Sequence, residues 1–168
     1  MSLDPLFQRL YDTPVAAAIR ESGTLFPWVE SVHVLAITLV VGSIAVVDLR
    51  LLGIAWNSRS ISKLTGEILP FTWTAFAVAA VTGGLLFSSN AVKYTHNTFF
   101  LSKMALLAVA GLNMLAFHFF TSHDMERWDE AHHQHIPFAV KLAGGLSLVL
   151  WFAVITCGRW IGFTMSAF

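Results

Sequence analysis

The sequence predicts an all-α integral membrane protein: a four-helix bundle preceded by a short N-terminal amphipathic helix on the membrane surface. Three observations carry that prediction. Of 168 residues, 56% are hydrophobic and only 12% are charged, about half the charged share of a soluble domain. Four segments, 30–56, 69–88, 99–120 and 137–163, are apolar enough to cross a bilayer, which takes about 20 residues at 1.5 Å each. None alternates polar with apolar residues, as a membrane strand does. The chain 1–168 reads as a single membrane domain.

The first element, within 1–25, contains "LDPLFQRLYDTPVAAAIRES", with Leu6, Leu10 and Tyr11 at helical spacing and Arg9, Asp12 and Arg20 elsewhere. That pattern predicts a short helix lying in the interface. Its charges also argue against a signal peptide. "SGTLFPW" then turns the chain, with Ser22 or Thr24 as a cap and Pro27 in the first turn of the next helix.

The first span, 30–56, has no charged residue from Val34 to Val47, yet carries Glu30 and His33 at one end and Asp48 and Arg50 near the other. Call the face where it begins side A and the opposite face side B. Two residues apart on a helix, Asp48 and Arg50 point away from each other. Arg50 is expected to reach lipid phosphates, and Asp48 to meet Lys141 or Arg127. Either the charges fix packing, or they form a proton path or a clamp for haem propionates.

The second span, 69–88, is "LPFTWTAFAVAAVTGGLLFS"; the third, 99–120, is "FFLSKMALLAVAGLNMLAFHFF". The fourth, 137–163, holds the lone cysteine, Cys157, which has no partner for an intramolecular disulfide. Small residues recur at Gly42-Ser43, Gly83-Gly84, Gly111 and Gly144-Gly145. They read as tight helix packing, or as clearance for a flat porphyrin. Trp28, Trp56, Trp73, Trp128 and Trp160 fall near span ends, where aromatic belts sit. Four crossings put both termini on side A. Lysine and arginine then divide five to each side, which leaves the orientation open.

The seven histidines carry the chemistry. Two imidazoles on facing helices hold a haem iron, and burial and hydrogen bonding tune its potential. Depth lets His33 pair with His96 near side A, and His118 with His132, His133 or His135 near side B. His135 is the nearest of these to a helix start. One or two b-type haems per chain follow, with Arg50 and Lys141 among the propionate partners. His96 and His118 are 22 residues apart, about 33 Å along a continuous helix, a long gap for direct electron transfer. Glu30 and His33, and again Glu130 and His133, show the Glu-x-x-His spacing of di-iron bundles, but the two copies fall on opposite faces. The loop "SHDMERWDEAHHQH" gathers histidines with carboxylates, a set suited to zinc or copper or simply to a solvated helix.

At "PWVESVHVLAITLVVGSIAVVDLRLLG" and "KMALLAVAGLNMLAFH" the sequence resembles a family of small bacterial four-span membrane proteins catalogued as a domain of unknown function. "DLRLLG", Asp48 to Gly53, is the most specific part. The resemblance implies a multi-pass protein of a bacterial inner membrane and brings no activity with it. More loosely, histidines near both faces resemble the diheme b561-type cytochromes, a likeness of fold whose ligand spacing differs from this one.

The leading expectation is therefore a membrane b-type haem protein that carries electrons within or across the bilayer, more an electron carrier than an enzyme with its own substrate. A quinone or redox protein, and further copies of the chain, are the expected partners. Zero net charge gives no reason to expect nucleic acid. The alternatives are a zinc- or copper-binding protein using the loop 123–135, and a non-catalytic assembly subunit.

Overall fold

The computed structural model describes residues 4–121 and 136–166. Its helices are α1 (Asp4–Tyr11), α2 (Pro14–Glu21), α3 (Leu25–Leu51), α4 (Ile61–Ser89), α5 (Ala91–Thr95), α6 (Thr98–Thr121) and α7 (Phe138–Ser166), and no strand occurs among the described residues. Helices α3, α4, α6 and α7 are long and apolar enough to cross a membrane. The chain is a multi-pass membrane protein with four helical crossings.

The N-terminal segment forms two helices rather than the one predicted. The chain breaks at Thr13, whose hydroxyl accepts from the Ala16 N–H at 3.4 Å, and Pro14 opens α2. Thr-Pro is a cap followed by a first-turn proline, and the expectation of a continuous helix passed over it. Nor do these helices only face lipid headgroups. Ala16 and Ile19 of α2 are 0% and 5% exposed, and Phe7 meets Phe87 edge-on at 5.9 Å. Arg20 donates to the carbonyls of Tyr11 (3.2 Å) and Ser89 (3.4 Å) and lies 3.9 Å over the Tyr11 ring. The pair therefore caps the side-A end of α4.

Helix α3 is 27 residues, about 40 Å long. It starts five residues before the predicted span because Ser22 accepts from the N–H groups of Thr24 and Leu25 (3.4 and 3.1 Å). Thr24 itself makes no cap bond. It ends early at Gly53, which takes a left-handed φ of 74° and turns the chain away. The apolar run "LGIAW" hid that stop from hydropathy. Helix α4 starts eight residues before the predicted span. Ser60 caps it by accepting from the Lys63 N–H (3.2 Å). Ile61 is buried there against Leu51 and Val140, so the polar-looking "SKLTGE" is an amphipathic first turn and a half.

Contacts between spans run α4–α3–α7–α6. The α3–α7 crossing is close because Gly144 has no side chain: a Cβ there would lie 3.1 Å from Leu51 Cβ and 3.2 Å from the Asp48 carbonyl oxygen. Helix α6 packs mainly on α7, and Phe117 also packs against the cluster of Leu51, Ile61 and Val140 near side B. At side A, Phe87 and Phe100 stack at 5.3 Å. Small polar residues in the spans satisfy themselves: Ser31, Thr38, Thr74 and Thr156 each donate to the carbonyl four residues earlier, at 2.7–3.0 Å.

Candidate functional site

The polar groups near side A converge from all four spans. His33 on α3 is half-buried, and its Nδ1 lies 2.9 Å from the Thr82 hydroxyl on α4. That hydroxyl lies 2.7 Å from the Val78 carbonyl and donates its only proton there. It must therefore accept from His33 Nδ1–H, and the Ala79 backbone carbonyl lies within reach of the same ring. The ring fills the notch at Gly83, where a Cβ would come within 2.8 Å of His33 Cε1. A single Cβ on α4 would displace the imidazole.

Lys103 on α6 lies within electrostatic reach of both His33 and Cys157 of α7. Its ammonium rests beside Gly158, 3.7 Å from where a Cβ would stand. Outside the spans, Tyr94 of α5 stacks obliquely against Phe100 at 5.2 Å. Burial pushes the Tyr94 phenol above its usual range, and the negative charge of Glu30 pushes it further.

His96 does not share the His33 environment. It is an exposed residue at the C-cap of α5, lining a surface recess of about 500 Å³ with Lys93, Asn97 and Thr164. Asn97 Nδ2 donates to Thr164 (2.8 Å), tying the start of α6 to the end of α7. Glu30 is exposed one turn before His33.

The side-B groups differ from expectation. Arg50 does not reach out to phosphates: it is 3% exposed, and its Nε donates to the Arg59 carbonyl at 2.8 Å. The loop 52–60 folds back over it and supplies the acceptor. Lys141 does not meet Asp48. It is exposed, in a recess of about 370 Å³ on the outer side of α7 with Leu52 and Phe138. Asp48 is 5% exposed and has the Ser147 hydroxyl of α7 beside its carboxyl instead. The expected ligands His132, His133, His135 and Glu130, with Arg127, lie outside the described residues. So does the side chain of His118, although α6 runs through that position.

Two of the small-residue positions are packing contacts, not clearance for a porphyrin: Gly83 seats an imidazole and Gly144 a helix backbone. Around Gly42, Gly84 and Gly111 a Cβ would meet nothing within 4 Å. Sequence reasoning missed Thr82 and Ser147. Each is a hydroxyl at a depth where the antiparallel neighbour carries an ionisable group, and matching depths across adjacent spans would have found both.

A family model matches residues 19–164, the family of unknown function DUF6644. The chain belongs to that family. No curated protein and no solved structure matches it. Membership in DUF6644 covers the last three residues of α2, all of α3 to α6 and nearly all of α7, so the side-A cluster and Asp48 both lie in the family's own segment.

Proposed function

We propose that this DUF6644 member is a membrane electron carrier that holds haem b near side A, with His33 as an axial ligand. The supporting observation is the 2.9 Å contact between His33 Nδ1 and the Thr82 hydroxyl. A ligating histidine donates its other ring N–H to a neighbour, which fixes its orientation and raises its basicity. His33 has that second bond, from Nδ1 to Thr82, which leaves Nε2 as the nitrogen that would ligate the iron. Lys103, in electrostatic reach of the ring, is a cation suited to a propionate. Bound there, haem would supply a one-electron couple, and this chain would supply the ligand, its orientation and an apolar surround. His96, and His118 with His135, remain the proposed ligands for the other positions. We assign the protein to a bacterial inner membrane, in more than one copy, with a quinone or a redox protein as its partner.

The test is an absorption spectrum of protein purified from membranes of cells supplied with haem precursor. The expected result is a Soret band that shifts on dithionite reduction, with one component lost in His33→Ala. Thr82→Val should retain the haem but alter its reduction potential. Colourless protein from haem-replete cells, or full haem content in His33→Ala, overturns the assignment.

A further inference from the structure

Asp48 is the most enclosed ionisable carboxyl among the described residues, and the side-A cluster makes no use of it. It sits one turn before the end of α3, at the close crossing with α7, 5% exposed. The Ser147 hydroxyl lies beside the carboxyl, yet Oδ2 is fully enclosed and has no hydrogen-bond partner. An isolated carboxylate in such a place costs so much that it must be neutralised.

Among the described residues, no charged group on the surrounding elements pairs with it. On α3, Arg50 points to another side of the helix and donates to the Arg59 carbonyl. On α7, Lys141 is exposed on the outer surface. On α4 and its approach, Lys63 and Glu67 are exposed, and Glu67 pairs with Arg59 at 3.3 Å. On α6, the nearby polar residue is Asn113, a neutral amide that donates to the Ala143 carbonyl at 3.0 Å. A metal cation is a poor alternative, because hard cations need about six oxygen ligands, and the described residues offer the carboxyl and one hydroxyl. A proton needs one oxygen.

We infer that Asp48 is an intramembrane proton-binding site, loaded in the folded protein and exchanging with water on side B. The direction of exchange follows from placement. Asp48 is within about 6 Å of the α3 terminus along the helix axis, and its backbone carbonyl accepts from the Leu52 N–H at 2.9 Å, where the side-B loop begins. Towards side A lie the buried Val40 and Ala36. The inference is independent of the haem proposal, since no residue is shared.

Infrared spectroscopy of the full chain in lipid nanodiscs near neutral pH tests it. The expected result is a carboxylic-acid C=O band that is absent from Asp48→Asn and shifts down on transfer to heavy water. If Asp48→Asn does not fold, Ser147→Ala keeps the carboxyl and removes the hydroxyl beside it, and the band should then move to higher frequency. Absence of the band from the wild type overturns the site. A band unmoved by Ser147→Ala overturns its assignment to Asp48. A band that ignores prolonged heavy-water exposure overturns the exchange.

Discussion

Replacing Gly83 by alanine should unseat His33, and the size of the effect follows from two distances. The new Cβ would stand 2.8 Å from His33 Cε1, where ordinary contact begins at 3.4 Å. The ring must withdraw by about 0.6 Å, while its Nδ1 is held 2.9 Å from the Thr82 hydroxyl. Withdrawal of that size stretches the bond to the limit of a useful hydrogen bond, a loss of about 0.5–1.5 kcal/mol. Turning the side chain off its rotamer costs a similar amount, about 0.5–1.5 kcal/mol. The steric cost is then about 1–3 kcal/mol, partly offset by about 1 kcal/mol from alanine's better helix propensity. Gly84→Ala isolates the two terms: it carries the same propensity gain, and its Cβ meets nothing within 4 Å. Unfolding in mixed micelles followed by far-ultraviolet circular dichroism should place Gly83→Ala about 1–3 kcal/mol below Gly84→Ala. In a His33→Ala background that difference should fall to within about 0.5 kcal/mol. An unchanged difference there would refute the seating of the imidazole on Gly83.

Other perturbations have equally definite outcomes. Gly144→Ala should lower stability by about 1–3 kcal/mol in the same assay, because its Cβ meets the backbone oxygen of Asp48 and the Leu51 Cβ, neither of which can swing aside. Arg20→Ala should loosen α1 and α2 from α4, by about 1–2 kcal/mol for a partly exposed cation that loses two carbonyl acceptors and a ring contact. Faster limited proteolysis around Thr13 would report it. Tyr94 should ionise late, because its phenol is protonated more firmly in the folded chain than in the unfolded one. The folded state then holds the extra proton, so stability is unaffected below about pH 10 and falls as pH rises through the alkaline range above it. Tyr94→Phe should abolish both the late phenolate absorbance and that part of the alkaline loss.

Hydropathy made the four crossings legible because the bilayer imposes one strong requirement, a long apolar run with its backbone bonded internally. It misplaced ends wherever the stop was local. Gly53 ends α3 inside an apolar run, Ser60 starts α4 before a polar one, and the Thr13-Pro14 cap splits the surface segment. His33 and Asp48 stood out in the sequence as polar residues in apolar spans, but their partners did not. Thr82 is 49 residues from His33, and Ser147 is 99 residues from Asp48. The pairings expected instead, Arg50 with phosphates and Lys141 with Asp48, followed charge alone and ignored which side of each helix faces inward.

Composition and the lengths of the apolar runs determined by themselves that this is an all-helical membrane protein crossing four times, because burial in lipid is a property of each segment separately. Tertiary structure decided what each embedded polar group touches. That depends on helix rotation and on the two close approaches at Gly83 and Gly144, and rotation is set by the packing of one helix on another, which no single segment encodes.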